Sequence, residues 1–215
     1  LTQYRFTSKK LEKDAYQKQY LDILAQRAAL GTPAEDPYPI ATPVPPDQGH
    51  LSGRFRLGGG YRTDGWFTQF DWRAAYHEVT DLDEGYVKGA QINFFDLQFR
   101  YYADDDKVRL HRWRIIDILS LAPWNGIFKP ISWKVNFGVE EMLLADGKDH
   151  PLGRLNAGGG LTSGVGRTGM AYVLAEADLL AGTRLDKSYA LGFGGTAGVL
   201  VNVTKDWKAN LWCQG

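Results

Sequence analysis

From Ser52 onward, apolar and polar residues alternate with a period of two over segments of roughly ten residues. In the first of these segments, Phe55, Leu57 and Tyr61 alternate with arginines. Such alternation is typical of a β-strand with one apolar and one polar face, because successive side chains point to opposite sides. The pattern recurs along 51–215, so we predict about nine antiparallel strands, longer than the five or six residues usual in soluble sheets.

Two of the segments depart from strict alternation. Within 86–102 the apolar set moves by one residue at Phe94–Phe95, which predicts a β-bulge there. The stretch 108–118 loses phase around 112–116, and a helix over 114–121 is the alternative interpretation of that part.

Glycines lie inside the alternating segments and not only between them. They form the runs 58–60 and 158–160 and recur at Gly192, Gly194 and Gly195. A mid-strand glycine marks a bend or a close approach of backbones, as in the wall of a narrow barrel. No Gly-Lys-Ser/Thr sequence follows these runs, which excludes a phosphate-binding loop.

The first 48 residues have a different composition, with six of the nine prolines and one of the 25 glycines. Apolar residues recur there at three- and four-residue spacing, with Ser8 as the expected N-cap and Gly31 at the expected end of the helix. The prolines that follow predict an extended linker. We therefore predict a helix in 1–31, a proline-rich linker over 32–50 and a β-barrel domain over 51–215.

Composition excludes several classes of protein. The 25 basic and 25 acidic residues give a net charge of zero, and no nucleic-acid-binding motif is present, so we expect no nucleic-acid partner. Cys213 is the only cysteine, which excludes an internal disulfide framework and a cysteine-rich zinc site. No apolar run is long enough for a transmembrane helix. The chain starts at Leu1 without a visible signal peptide, so we expect it to be part of a longer protein.

Alternation alone does not say which face of the sheet meets water. In a soluble barrel the apolar face points inward, whereas in an outer-membrane barrel it meets lipid and the polar face lines the interior. The segment lengths, the aromatic residues near segment ends and the opposed charges on neighbouring segments favour the membrane arrangement. The predicted fold is thus an all-β, antiparallel up-and-down barrel of outer-membrane type with a narrow polar lumen. The candidate lumen charges are Arg54, Arg56, Arg62, Lys134 and Glu140.

One part of the sequence is more specific than a strand pattern. The segments 73–81 (RAAYHEVTD), 84–86 (EGY) and 89–92 (GAQI) resemble the C-terminal region of Lnb-type Gram-negative envelope proteins. The segments 117–121 (DILSL) and 131–133 (ISW) add to the resemblance, which covers residues 50 to about 140 well. The Lnb-type family is taken to have an N-terminal periplasmic domain, followed by a β-rich region that is predicted as an outer-membrane barrel.

This resemblance implies that the chain is the rear part of a longer envelope protein. An odd number of strands agrees with this, because single-chain bacterial barrels close with an even number. The implied location is the Gram-negative outer membrane, with the N-terminal segment in the periplasm. The implied partners are outer-membrane lipids and an upstream periplasmic domain of the same protein.

The best candidate site is a polar cluster around His77. His77 and Arg73 share one face of a strand, and acids follow closely in the sequence. The structural interpretation is that the cluster fastens the strand end to the next loop. The catalytic interpretation needs a serine beside the histidine, and no spacing brings Ser120 or Ser132 there. The cluster comprises Asp71, Arg73, His77 and Asp81, with Glu78 as a further acid.

The remaining polar motifs predict structure rather than chemistry. A calcium loop needs alternating ligands and a distal Glu, so Asp104–Asp106 predicts a solvated turn. His111 and His150 have no metal-ligand spacing with any acid or cysteine, and we expect no metal or cofactor. A run of basic residues lies between positions 107 and 114. Its members either point into the interior and pair with Asp96 and Asp117, or contact the phosphate groups of lipopolysaccharide at the outer rim. The run comprises Lys107, Arg109, Arg112 and Arg114.

Three functions from different classes follow. The first is a non-enzymatic outer-membrane barrel, without a conducting pore, that anchors or localises an upstream periplasmic domain. The second is a barrel-embedded hydrolase that acts on lipid or peptidoglycan, with His77 in its site. The third is a soluble β-barrel that binds an apolar ligand. We expect the first and assign no catalytic residue.

Overall fold

The computed structural model describes residues 1–31, 42–62, 65–104, 106–166, 168–204 and 206–215. The chain divides into two units, Leu1–Thr42 and Pro43–Gly215.

The described part of the first unit contains two helices, where the sequence predicted one. Helix α1 spans Thr2–Thr7 and helix α2 spans Lys13–Ala29. Ser8 caps the carboxyl end of α1, and Lys9 follows with a positive φ of 55°. The prediction of Ser8 as an N-cap is therefore wrong, because a non-glycine residue in the left-handed region interrupts the helix at this point.

The carboxyl end of α2 agrees with the prediction. Leu30 is the C-cap, and Gly31 follows with a φ of 71°, a conformation that favours glycine at a helix end. The rings of Phe6 and Tyr16 stack with centroids 4.4 Å apart and join the two helices. In the described residues, no helix is both long and apolar enough to cross a membrane.

Most of the predicted proline-rich linker, residues 32–41, lies outside the described residues. Pro45 has the backbone angles of polyproline II, with φ −72° and ψ 156°. Pro46–Gln48 then form a single turn of 3₁₀ helix.

The second unit consists of nine long strands and one very short strand. They are β1 (Arg54–Arg62), β2 (Gly65–His77), β3 (Ala90–Tyr102), β4 (Lys107–Ser120), β5 (Pro123–Trp124), β6 (Ser132–Leu143), β7 (Asp149–Val165), β8 (Gly169–Ala181), β9 (Tyr189–Asn202) and β10 (Lys208–Gln214).

The long strands form one antiparallel meander. Each pairs with the next long strand along the chain, in the order β1-β2-β3-β4-β6-β7-β8-β9-β10, and the sheet curls into a half-barrel. The short strand β5 lies parallel to β7 at Thr162 and Ser163, where β7 extends beyond the start of β6. The prediction of an antiparallel up-and-down sheet with about nine long strands is confirmed.

The predicted change of phase in β3 is present. The buried residues Asn93 and Asp96 are three positions apart, and Phe95 between them has a φ of 55°. The predicted change of phase at Phe94–Phe95 is therefore confirmed, but the predicted β-bulge is wrong at this position, because the pairing register continues unbroken from Phe94 to Asp96 against both β2 and β4. The change of pairing register between β3 and β4 lies elsewhere, between Gln98 and Phe99.

The predicted loss of phase in β4 is also confirmed. The register between β4 and β6 shifts between Arg114 and Ile116. The segment continues as a strand as far as Ser120. The alternative of a helix over 114–121 is wrong, because both neighbouring strands pair with these residues.

The two faces of the sheet have the opposite character to those of a sheet packed on an apolar core. Polar side chains of the inner face are buried, and Asn156 and Glu176 are only 2% and 5% exposed. Large apolar side chains of the outer face are exposed, and Phe137 and Phe193 are 45% and 87% exposed. The alternation in the sequence thus places polar groups inside and apolar groups outside.

A small apolar cluster fills one end of the interior. It includes Val79, from the loop 78–89 that follows β2, packed against side chains of β8 and β9. Gly89 of the same loop is buried, and a Cβ atom there would press on the carbonyl oxygen of Leu121. The loop therefore folds into the interior. The members of the cluster are Val79, Leu121, Met170, Tyr172, Leu174 and Leu200.

The glycine runs lie inside strands, as the sequence predicted, with 58–60 in β1 and 158–160 in β7. Their surroundings differ between positions. A Cβ atom at Gly160 would overlap the carbonyl oxygen of Val173 on β8, whereas one at Gly164 would meet nothing within 4 Å. Close approach of backbones therefore requires glycine at Gly160 but not at Gly164.

We expect Gly160→Ala to destabilise the protein and Gly164→Ala, in the same strand, to leave it nearly unchanged. The added methyl group at Gly160 must push β7 and β8 apart, which costs about 1–3 kcal/mol. The free energy of unfolding, from urea titration, measures both effects. Equal stabilities of the two variants would contradict the close approach.

Candidate functional site

The interior contains a buried acid that is fully hydrogen-bonded. Glu176 of β8 accepts hydrogen bonds from Lys134 Nζ at 2.9 Å, Asn156 Nδ2 at 3.0 Å and Gln214 Nε2 at 2.8 Å. The Thr196 hydroxyl donates a fourth bond to the other carboxylate oxygen. These donors come from four different strands. A buried carboxylate with a cationic partner and several neutral donors is electrostatically satisfied.

A second network, whose charged groups are only half-buried, lies beside the first. Arg154 of β7 makes a bidentate pair with Asp178 of β8, at 2.6 and 3.1 Å, and a single contact of 3.3 Å with Glu140 of β6. Asn156 Nδ2 also donates to Asp178, at 3.0 Å, and so joins the two networks. Together they connect the inner faces of β6, β7 and β8.

The basic run of β4 takes part in the same kind of pairing. Arg112 donates to Asp96 at 3.3 Å, and Arg114 donates to Asp117 at 3.0 Å. This confirms the predicted interior pairing for these two arginines. Arg109 lies over the ring of Tyr102, with its guanidinium carbon 4.8 Å from the ring centroid.

Each candidate lumen charge has an oppositely charged partner on another part of the chain. Arg56 lies 3.7 Å from Asp71, and Arg62 at the end of β1 lies 3.2 Å from Asp149 at the start of β7. Arg54 pairs with Asp81 at 2.8 Å. The other two candidates, Lys134 and Glu140, belong to the two networks above. The five candidates do not form one site; they are distributed along the interior.

A cavity of about 270 Å³ remains inside the sheet. Its lining includes Arg114, Lys134, Asn156 and Tyr172, and residues of the loop 78–89 close one side of it. A space of this size holds several water molecules. The interior is therefore occupied by paired side chains and a small space that both polar and apolar side chains line.

A second polar group lies where β2 ends, and we call Arg54, Arg73, Glu78 and Asp81 the strand-end cluster. Arg73 donates to Asp81 Oδ2 at 2.6 Å, and Arg54 donates to Asp81 Oδ1 at 2.8 Å. The backbone N–H of Glu78 also donates to Asp81, at 2.8 Å. The side chain of Glu78 pairs with both arginines. These contacts fasten β1 and β2 to the loop 78–89.

His77 does not contact the arginines through any hydrogen bond in the described residues; it meets a second histidine. His77 Nδ1 lies 2.7 Å from Nε2 of His50, a residue just before β1. Both imidazoles stack on Tyr86, with ring centroids 4.2 Å apart for His77 and 4.6 Å for His50. Sequence reasoning missed His50, since only the fold brings it to the end of β2.

The other predicted members of the site lie elsewhere. Asp71 is buried but contacts Gln69, Gln98 and Arg56, and it is not part of the strand-end cluster. The Ser132 hydroxyl, which is fully buried, bonds to Thr162 at 2.7 Å and accepts the backbone N–H of Ala122. The catalytic interpretation of His77 gains no serine partner from these contacts.

Histidine donors come together at one place in the described chain. His50, His77 and Asp81 offer ligand atoms that all lie within 4.8 Å of one another. His111 faces the single acid Glu141 at 3.3 Å, and His150 faces the single acid Asp146 at 2.7 Å. The aspartates on either side of residue 105, which lies outside the described residues, are exposed in the turn between β3 and β4.

The loop 78–89 is also tied to the far side of the sheet. Lys208 of β10 donates to Asp83 at 2.5 Å and to the Val79 carbonyl at 3.2 Å, and Asn202 donates to Asp83 at 2.8 Å. Burial by itself raises the pKa of Asp83. The hydrogen bonds from Lys208 and Asn202 and the nearby positive charges outweigh burial, so this pKa lies below its ordinary value.

We expect Glu176→Ala to lower the free energy of unfolding by about 3–5 kcal/mol, because it leaves the Lys134 ammonium in the interior without its acid. Removal of both charges, in Lys134→Ala/Glu176→Ala, should cost less than the sum of the single changes. Asp146→Ala is the matched control, because it removes an acid that pairs with His150 but is 52% exposed. Its effect on the free energy of unfolding should stay below about 1 kcal/mol. Urea unfolding compares these four variants with the wild type, and strict additivity of the two single changes would contradict the buried pair.

We expect Asp83→Asn to destabilise the protein at neutral pH, because it removes the charged partner of Lys208. The expected cost is only about 1–2 kcal/mol, because the carboxylate is 24% exposed and solvent weakens the ion pair. A carboxyl whose pKa is lowered on folding stabilises the protein above its unfolded pKa. That contribution disappears as the pH falls through the folded pKa, so variant and wild type should converge in acid. Unfolding titrations across this range, with Asp186→Asn as the control, test the expectation. A difference that does not depend on pH would contradict it.

Comparison with known proteins adds the family. Residues 43–214 match a family model described as "Domain of unknown function (DUF7840)". The matched range includes every strand, the loop 78–89 and His50. No curated protein and no solved structure matches the chain. Since the match covers well over half of its residues, the chain belongs to the DUF7840 family.

Proposed function

We propose that residues 51–215 form an outer-membrane β-barrel module that anchors or localises an upstream periplasmic domain of the same protein. The N-terminal segment then lies in the periplasm of a Gram-negative cell, as the resemblance to Lnb-type proteins implies. The module has no enzymatic activity in this proposal, and its outer face contacts the lipids of the outer membrane.

The observation that supports this proposal best is that the apolar face of the sheet is the exposed outer face and the polar face is the inner face. Mid-strand side chains of the outer face, such as Phe137 and Val173, are 45% and 62% exposed. In water this exposure is unfavourable, whereas in hydrocarbon it is favoured. A soluble barrel that binds an apolar ligand needs the reverse arrangement, with the apolar face inside.

Strand length and aromatic residues agree with a membrane location. The strands β2 and β3 have 13 residues each and β4 and β9 have 14, while a tilted strand needs about 9–11 to cross a bilayer. Aromatic side chains near strand ends are exposed, as interfacial girdles require. They include Tyr61, Trp66, Tyr76, Tyr101, Tyr189 and Trp207.

The two edge strands of the sheet, β1 and β10, bear on whether the sheet closes into a barrel. In the described chain, β1 and β10 each pair along one edge only. Unpaired backbone groups are not tolerated against lipid, so a membrane-embedded sheet must close. Since single-chain barrels close with an even number of strands, we expect at least one further long strand between β10 and β1.

The interior favours an anchor over a channel. Ion pairs connect the strands from within, the loop 78–89 fills one end, and the remaining cavity is about 270 Å³. A barrel filled by its own side chains has no continuous aqueous path.

Arginine substitutions at two depths of one strand test the proposal. Phe137 lies in the middle of β6 and Leu143 at its end, and both are exposed, at 45% and 62%. We expect Phe137→Arg to cost about 2–4 kcal/mol and to prevent assembly, and Leu143→Arg to cost at most about 1 kcal/mol. The readouts are recovery of the chain in isolated outer membranes and faster gel migration of the unboiled protein.

In a soluble protein, an exposed phenylalanine tolerates arginine, so the two variants should then behave alike. Recovery of the wild-type chain in the soluble fraction, or equal assembly of the two variants, would overturn the membrane proposal. The soluble ligand-binding barrel would then become the better reading.

A further inference from the structure

We propose that His50, His77 and Asp81 bind one divalent transition-metal ion of the Zn²⁺ class. Their ligand atoms lie within 4.8 Å of one another, at the end of β2. Two imidazole nitrogens and one carboxylate oxygen form a ligand set that suits Zn²⁺, whereas Ca²⁺ and Mg²⁺ prefer oxygen ligands alone. This inference goes beyond the proposed anchoring function and does not depend on it.

The orientation of His50 is that of a metal ligand. Its Nδ1–H donates to the backbone carbonyl of Leu51 at 2.9 Å, so Nε2 carries the free lone pair. Histidines that bind metals usually hold their other ring nitrogen on a carbonyl or carboxylate, which fixes the ring and its tautomer. The lone pair of His50 Nε2 points to Nδ1 of His77 at 2.7 Å.

His77 supplies a buried imidazole, one nitrogen of which has no hydrogen-bond partner in the described structure. The residue is 2% exposed, and its Nε2 is buried without a hydrogen-bond partner in the described structure. Because His50 Nε2 accepts, His77 carries its proton on Nδ1 in the metal-free form. Binding of the ion at Nδ1 moves this proton to Nε2, so both imidazoles remain neutral and no proton is gained or lost.

The required movement of the two rings is small. Ligand atoms around a tetrahedral ion with bonds of about 2.0–2.1 Å lie about 3.3 Å apart. The two imidazole nitrogens must therefore separate by about half an ångström from their hydrogen-bonded distance. His50 lies outside the strands, just before β1, which allows this adjustment.

Asp81 keeps one acceptor position for the ion. A carboxylate offers about four lone-pair sites. Arg54 occupies one site on Oδ1, and Arg73 and the Glu78 N–H occupy Oδ2, so one site on Oδ1 remains. The two arginines orient the carboxylate, and Glu78 offsets part of their charge. Their positive charge weakens cation binding, and we expect a lower affinity than at a structural zinc site.

An open cavity reaches two of the three ligands, His50 and Asp81. It measures about 290 Å³, and its lining includes His50, Arg54, Asp81 and Asp206. Three protein ligands leave a fourth position of the ion for a water molecule from this cavity, as in zinc sites with an open position.

The test uses the whole chain, treated with a chelator and titrated with Zn²⁺ alone by calorimetry. We expect one ion per chain for the wild type and an affinity at least about tenfold lower for His50→Gln. His150→Gln is the matched control, because it removes an imidazole that faces a single acid, and its affinity should equal that of the wild type.

A cooperative urea-unfolding transition like that of the wild type verifies that the variants are folded. Absence of Zn²⁺ binding, or equal affinities of the wild type and His50→Gln, would overturn the proposal. If His50→Gln does not fold, the ¹H–¹⁵N spectrum of the wild-type histidine rings decides. Zn²⁺ should then shift the ring nitrogens of His50 and His77, and unchanged signals of these two rings would overturn the site.

Discussion

The pairing of buried charges inside the curled sheet is the interaction on which the rest of the structure depends. A charged group that is buried on the inner face, such as Glu176 or Asp71, has lost most of its water, and such a group is tolerated only with a partner of opposite charge and further hydrogen bonds. Glu176 takes its partners from four strands, and Arg154 bridges two acids on the strands to either side. A slip of one residue in any of these strands would turn the charge outward and separate the pair. The paired charges on the inner face therefore specify the pairing register of the strands in the curled sheet.

At some positions neighbouring strands approach each other so closely that only glycine fits between their backbones. At Gly160 the backbone of β8 occupies the space of a side chain, and at Gly138 the backbone of β4 does the same. These contacts bring the polar residues of neighbouring strands within hydrogen-bond distance. The interior is then filled largely by side chains and by the loop 78–89, in agreement with the proposed anchoring role.

The loop 78–89 combines two roles at the end of β2. Asp81 fastens the loop to β1 and β2 through arginine pairs, and Asp83 fastens it to β10 through Lys208. Arg54 and Arg73 thereby fix the carboxylate of Asp81 beside the two stacked histidines. The contacts that stabilise the fold at this end also arrange the proposed metal ligands. This arrangement explains why a change at Asp81 would affect both, and why His50 is the better residue for separating them.

The sequence by itself determined the strands, their alternation and the phase change at Phe94–Phe95, because side-chain period and backbone preference are local properties. It also determined Gly31 as the end of α2, but the same local reasoning misplaced Ser8, where backbone strain at Lys9 divides the helix. Only the tertiary structure decided that the polar face is the buried one, that Asp71 lies apart from Asp81, and that His50 meets His77. The last contact joins residues 27 positions apart, and the Asp83–Lys208 contact joins residues 125 apart. Such pairs depend on how far the sheet curls and where its loops fold, and no local pattern encodes that geometry.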